Sequence, residues 1–451
     1  MHTFDADTER LLQQVIDYAR LRLRLDPVPL DGAKPPAVIR ETAGDTITAA
    51  GLGGDEALRI FTEVLAPACL SVDNPRYLSF IPAAPTEAAT LFDLVVGASS
   101  IYGGSWLEGA GAVYAENQAL RWIADLAGLP AEAGGCFVQG GTNGNLSALV
   151  AARHTAAARR GDDRPARWAF VCSVEAHSSM QHAARVMDVD VVTVPVDENG
   201  RMTAEALRAT IAEHGDDDLF AIVATGGTTN YGVVDDIRGA VEVGREHNLW
   251  VHVDGAYGLA ALCAPSAREV FDGIEGVDSL IVDPHKWLFS PFDACALLYR
   301  EPALGKAAHT QPAGYLEAIN EDTEWNPSDY AVHLSRRPRG LPLWFSLATH
   351  GTQAYTDAVE QTLTVARSAA DGVRRRKYLE LVREPNLSVV VFRRLGWTRE
   401  NYYAWSDRLL AANFAFVLPT THYGETVTRF AVVNPRTTEA DVSLILDTMA
   451  G

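Results

Sequence analysis

Val251-His252-Val253-Asp254-Gly255-Ala256-Tyr257 and, further on, Val282-Asp283-Pro284-His285-Lys286-Trp287 are the two runs that decide the fold. Apolar stretches lead into both, over 249–253 and 280–282. Short unbroken apolar runs of this kind read as strands buried on both faces of a parallel sheet. Each run sets its polar residues where the strand would stop. Ligands of open α/β sheets bind at the carboxyl ends of strands, so Asp254 and Lys286 are expected to face one crevice. A buried ammonium or carboxylate without a partner costs several kcal/mol. The two either pair with each other or serve a ligand.

Outward from this centre, strand and helix alternate. Strands are expected at 135–138, 168–172, 190–194, 219–224, 249–253, 279–282 and 294–299, with helices at 112–128, 145–160, 203–213 and 236–247. That alternation predicts an α/β fold with a mainly parallel sheet. Toward the N-terminus, Leu11, Leu12, Val15, Ile16, Ala19 and Leu23 form one apolar face of a helix over 5–23. Prolines 27, 29, 35 and 36 follow it, and a second helix is expected at 54–68. The apolar face needs another surface, for which a partner subunit is a candidate. Segment 301–330 has no clear period and reads as a long loop. Beyond 342 a long helix (343–377), strands at 387–394, 414–418 and 427–433, and a closing helix from 438 predict a small α+β domain. The expected organisation is therefore a helical N-terminal segment 1–80, a large domain 81–341 and a small domain 342–451.

Composition bounds the function. The chain has 451 residues, 47% of them apolar, and a formal charge of −20. A polyanion such as nucleic acid would be repelled. No apolar run approaches the roughly 18 residues of a membrane span, and the N-terminus does not read as a signal peptide. Five scattered cysteines without a CxxC pair argue against structural zinc and a disulfide framework, and fit a reducing cytoplasm. His177 and His182 lack the spacing of a helical zinc pair, so no metal is expected.

Three further segments fall at strand ends. Gln139-Gly140-Gly141-Thr142-Asn143-Gly144-Asn145 opens a helix, where glycines and free N–H groups favour an anion and Thr142 adds a hydroxyl. It matches neither the dinucleotide nor the P-loop fingerprint. Thr225-Gly226-Gly227-Thr228-Thr229 repeats the texture after strand 219–224. Both runs also read as ordinary tight turns. His177 follows strand 168–172, where it could stack on an aromatic ligand or move protons. A lysine able to hold an aldehyde, with an acid to pair a pyridinium nitrogen, is the minimum kit for pyridoxal 5′-phosphate (PLP).

Assembled in this order, the runs resemble the PLP-dependent group II amino-acid decarboxylases, the family of aromatic-L-amino-acid, histidine and glutamate decarboxylases. The resemblance extends from Pro75-Arg76-Tyr77 and Phe80-Ile81-Pro82 to Val433-Asn434-Pro435-Arg436-Thr437-Thr438. It implies a fold-type I (aspartate aminotransferase-like) enzyme, cytoplasmic and homodimeric, with active sites at the subunit interface. It implies Lys286 as the Schiff-base lysine, Asp254 as partner of the ring nitrogen, and His177 stacked on the ring. Gly141, Thr142, Asp283 and His285 would gather near the phosphate and Thr229 near the ring. Tyr315, in Ala313-Gly314-Tyr315-Leu316, matches a loop tyrosine that protonates Cα; phenylalanine there accompanies aldehyde formation in related plant enzymes.

The resemblance also implies a substrate wall: Phe80, Pro82 and Ala83, with Tyr102 and Gly104, joined by Ser335 and a substrate-side Arg429. Tyr102 partly refills space left by Gly104, and no spare basic residue lies in the 80–83 and 100–106 segments. The implied reaction is decarboxylation of an L-amino acid, aromatic in preference, to an amine and CO2. Alternatives are an aliphatic or acidic substrate (valine, glutamate, aspartate), an oxidative aldehyde synthase, a silent PLP-binding scaffold, or a lyase acting on another bond.

Overall fold

The computed structural model describes residues 2–312 and 324–450. Helices α1 (Ala6–Leu23), α2 (Pro36–Ala43) and α3 (Gly54–Ile60) form the N-terminal segment, followed by α4 (Glu87–Ser99) and α5 (Trp106–Leu126). The central region then alternates: β1 (Gly134–Val138), α6 (Gly141–Arg160), β2 (Ala169–Ser173), α7 (Ser179–Met187), β3 (Asp190–Val194), α8 (Ala204–His214), β4 (Leu219–Thr225), α9 (Ile237–Glu246), β5 (Trp250–Asp254), β6 (Ser279–Val282), β7 (Cys295–Tyr299) and α10 (Pro302–His309). All seven strands coincide with the expected ones to within about a residue or two, because all but β3 are buried along nearly their whole length.

The seven strands form one sheet in the order β1-β7-β6-β5-β4-β2-β3. Pairs β2–β3, β2–β4, β4–β5 and β5–β6 are parallel; β7 runs antiparallel to both β6 and β1. The carboxyl ends of β1, β2, β4, β5 and β6 therefore share one edge. Each expected polar run leaves the sheet there. Helix α6 lies hard against the sheet: a Cβ on Gly144 would stand 2.8 Å from Ile281 Cγ2 and 2.9 Å from Cys295 Sγ.

The chain ends with α11 (Leu341–His350), α12 (Thr352–Arg374), β8 (Leu379–Leu381), β9 (Val389–Arg394), α13 (Arg399–Ala411), β10 (Pro419–His422), β11 (Glu425–Ala431) and α14 (Glu439–Asp447). Its sheet is antiparallel, ordered β10-β11-β9-β8. Strand β9 alternates strictly. Val389 and Val391 join the core of the large sheet, while Val390 and Phe392 face α12, α13 and α14. Helix α12 is shared likewise, with Tyr355, Val359 and Leu363 in the first core and Val365, Ala366 and Ala369 in the second.

Several expectations are corrected. The long helix 343–377 is two helices, broken at Gly351, whose φ of 77° ends the first. The strand at 414–418 is a single bridge, because Phe416 pairs its backbone with Arg76 and Leu78 instead of with β11. Segment 301–330 is not all loop: Pro302 sits in the first turn of α10. Helices α2, α4, α7 and α13 had no counterpart in the sequence reading; α2 starts inside the proline-rich stretch, because Pro36 is tolerated in a helix's first turn. Among the described residues no helix is long and apolar enough to cross a membrane.

Candidate active site

One cavity of about 600 Å³ opens at the shared carboxyl edge, within the range of small-molecule sites. Its wall includes Gly140, Gly141, Thr142, His177, Thr229, Asp254, Asp283, His285 and Lys286. Every cofactor-side residue expected from the sequence is thus gathered in one place. They arrive from different elements. Gly141 and Thr142 open α6, His177 follows β2, Thr229 follows β4, Asp254 ends β5, and Asp283 to Lys286 follow β6.

Asp254 and Lys286 do not pair with each other in a salt bridge. Lys286 Nζ lies 3.0 Å from Asp283 Oδ2, and Asp254 Oδ2 instead accepts 2.9 Å from Asn145 Nδ2. Burial disfavours the Lys286 ammonium, but the Asp283 carboxylate outweighs it and the net direction is upward. His285 is turned by its backbone contact: Nδ1 lies 2.7 Å from the Ala294 carbonyl, and Nε2 3.7 Å from Asp283.

These residues fit PLP. No side chain among the described residues caps the start of α6, so backbone N–H groups there are available to an anion. A Cβ on Gly141 would lie 3.1 Å from Ala256 Cβ and 3.2 Å from Asp283 Oδ2, so only glycine keeps that end open. Asp283 Oδ1 is buried without a hydrogen-bond partner among the described residues. A primary amine and a carboxylate face the same space, the donor set that the aldehyde and ring nitrogen require.

Phe80, Pro82, Ala83, Tyr102, Gly104, Ser335 and Arg429 do not line this cavity. They fall into two groups. Phe80 has φ 53° and is 57% exposed, a costly arrangement for a bulky aromatic residue. Its carbonyl accepts 3.1 Å from Arg429 Nη1. Arg429 is buried with no carboxylate partner among the described residues, and burial draws its pKa down to about 10. In the second group, Tyr102 donates to the Leu334 carbonyl at 3.1 Å, and its hydroxyl lies 2.3 Å from where a Cβ on Gly104 would stand. Arg336 reaches Gly103 but is consumed by Glu116. Tyr315 lies outside the described residues.

Sequence reasoning missed Asn145, His182, Phe292 and Asp293, which also line the cavity. Asn145 had a signal: it stands four residues after Gly141, one helical turn along the same face. Asp293 had none, since it sits in a loop and pairs with Arg339 at 2.9 Å.

Residues 54–395 match the pyridoxal-dependent decarboxylase conserved domain. An aromatic-L-amino-acid decarboxylase of Bacillus atrophaeus is 28% identical, over 91% of this chain and 87% of that one. An L-2,4-diaminobutyrate decarboxylase of Rhizobium meliloti is also 28% identical, over 89% and 83%. The crystal structure of Oryza sativa TDC with PLP and tryptamine superposes with a TM-score of 0.92 at 25% identity, covering 100% of this chain and 99% of that one. The chain belongs to the pyridoxal-dependent decarboxylase family. It is a fold-type I, PLP-dependent carboxy-lyase acting on an amino acid.

Proposed function

We propose that this enzyme releases CO2 from an aromatic L-amino acid, with Lys286, Asp254 and His177 as its cofactor-side machinery. The observation that carries the role assignment is the meeting of Lys286 Nζ, Asp254 and His177 on one cavity at the strand ends. When bound, PLP supplies an aldehyde that condenses with amines and a cationic ring that accepts the electron pair left at Cα. Lys286 holds the aldehyde between turnovers, and Asp283 is the counter-ion of its ammonium when it is displaced. Asp254 keeps the ring nitrogen protonated, since a neighbouring negative charge favours the cation. His177 would cover the ring face. Gly141, Thr142 and His285 would hold the phosphate, and Thr229 would flank the ring. Tyr315 would deliver the proton that replaces the departed carboxylate.

The substrate wall is Phe80, Pro82, Ala83, Tyr102, Gly104 and Ser335, with Arg429 beside it. Because these residues stand away from their own chain's cavity, they serve a homodimer in which one subunit completes the other's site. Helix α1 buries none of its residues fully, and Leu91, Leu94 and Val95 of α4 are about half exposed, which supports an apolar subunit contact. Light scattering on purified protein is expected to give twice the 48.7 kDa chain mass. Five free thiols, four of them buried, support a reducing cytoplasm.

Around Tyr102 and Gly104 an aromatic side chain fits better than an acidic one, because Arg336 is already neutralised by Glu116; Arg429, without a carboxylate partner among the described residues, stands apart beside Phe80. The relatives from Bacillus and Oryza point the same way. Mass spectrometry of amines formed from the twenty amino acids, dopa, 5-hydroxytryptophan and 2,4-diaminobutyrate tests it. An aromatic amine is expected to dominate; valine, glutamate, aspartate or diaminobutyrate products at higher kcat/KM would replace the reading. Tyr315→Phe is expected to divert product from amine toward aldehyde, with peroxide and ammonia appearing together.

A further inference from the structure

Behind Asp254 runs a chain of hydrogen bonds in which each proton's place is set from one end. The Trp250 indole can only donate, and its Nε1 gives to Ser279 Oγ at 2.8 Å. Ser279 Oγ, which keeps one proton to give and a second lone pair, also lies 2.8 Å from His252 Nδ1. The register of β5 and β6 sets His252 beside Ser279. His252 is fully buried; burial, opposed by the charge of Asp254, draws its pKa down to about 4, so the ring is neutral. Its Nε2 lies 2.9 Å from Asn145 Oδ1.

The His177 end fixes which way the Asn145 amide faces. Its Nδ2 donates to Asp254 Oδ2 at 2.9 Å and to Ser179 Oγ at 3.0 Å. Ser179 in turn gives its hydroxyl proton to His177 Nδ1 at 2.9 Å. The Ser179 backbone N–H also points at His177 Nδ1, 3.2 Å away, so that nitrogen is an acceptor, the Asn145 group facing Ser179 is its NH2, and the neutral His252 ring gives its one proton from Nε2 to Asn145 Oδ1. The proton of a neutral His177 is therefore on Nε2.

We infer that Asn145 is a positioning residue that couples Asp254 and His177, holding the first as an oriented carboxylate and the second in one tautomer. This rests on the reading above that Asp254 meets the ring nitrogen and His177 the ring face. A flipped amide would set oxygen against oxygen at Asp254, and the His177 end prevents the flip. No other described side chain bonds to both arms.

The test titrates apoenzyme with PLP and with its 1-deaza analogue, in which C–H replaces the ring nitrogen, and measures kcat and KM with PLP. Wild type should prefer PLP. Asn145→Ala should weaken PLP about tenfold, the size of one hydrogen bond to a charged group, and the analogue less than about twofold, because Asn145 acts through Asp254. The isosteric Asn145→Asp, which keeps the volume, should narrow the preference in the same way. Ser179→Ala cuts only the His177 arm: it should keep the preference and lower kcat with little change in KM. Equal weakening of both coenzymes in the Asn145 variants, or none, would make Asn145 merely structural and overturn the inference. An unchanged kcat in Ser179→Ala would overturn the coupling to His177. A wild type that binds PLP without preference would instead sink the role given to Asp254, and this inference with it.

Discussion

Lys286→Ala is expected to form no measurable amine, a loss on the order of 10³-fold or more when a covalent catalytic amine is removed. Nζ of Lys286 is the primary amine that its loop, following β6, presents to the cavity. Without it the coenzyme is held only by non-covalent contacts, and product must be released by water instead of by exchange with an internal amine. Borohydride should therefore trap no adduct between protein and coenzyme in the variant, while trapping one in wild type. The substitution also strips the cation from Asp283, a carboxylate only 2% exposed whose Oδ1 already lacks a partner among the described residues. Thermal melting should fall in Lys286→Ala and recover in Lys286→Ala/Asp283→Asn, which removes the stranded charge. Activity should not recover with it. Undiminished steady-state amine formation by Lys286→Ala would refute the assignment.

The split between those two readouts follows the line between what the sequence disclosed and what it hid. Strands β1, β2 and β4 to β7 were legible because burial on both faces leaves a continuous apolar run. Their carboxyl ends had to share an edge, so Asp254, Lys286, His177 and the glycine turns could be placed together without coordinates. Partnerships were not legible. Lys286 takes Asp283 and leaves Asp254 aside, which depends on the turn Asp283-Pro284-His285, closed by the Lys286 N–H to Asp283 carbonyl bond. Asn145 looked like one more helix-opening residue, and its contacts depend on the register that pairs His252 with Ser279. Helix α7 was hidden because it is only nine residues long and its buried face, Ser179, Met180, Ala183, Ala184 and Met187, is built mostly of small residues. Strand β10, Pro-Thr-Thr-His, has no fully buried residue to mark it.

Glu116→Ala is expected to lower stability by about 3–5 kcal/mol, the penalty for breaking a buried ion pair from one side. Glu116 and Arg336 are 2% and 0% exposed and meet in two bonds of 2.7 Å. Burial pulls against the Arg336 charge, yet Glu116 outweighs it and holds the guanidinium cationic. Removing Glu116 therefore strands a charge that cannot be shed. The damage spreads to backbone: Glu116 Oε1 also accepts from Gly340 N at 2.7 Å, while Arg336 Nη1 clamps the Gly103 carbonyl at 2.6 Å and its own carbonyl takes the Gly103 N–H at 3.0 Å. Gly103 stands between Tyr102 and Gly104, so the proposed substrate wall hangs on this pair. Denaturant melts should show the loss, and kinetics should show KM rising more than kcat falls, since Lys286 and Asp254 are untouched. Glu116→Leu/Arg336→Met removes both charges, and should recover much of the stability but not the low KM, because the side-chain bonds to the Gly103 carbonyl and the Gly340 N–H stay broken. If the double variant regains both, the pair serves folding alone; if neither single nor double variant changes stability, the buried pair carries no weight in this fold.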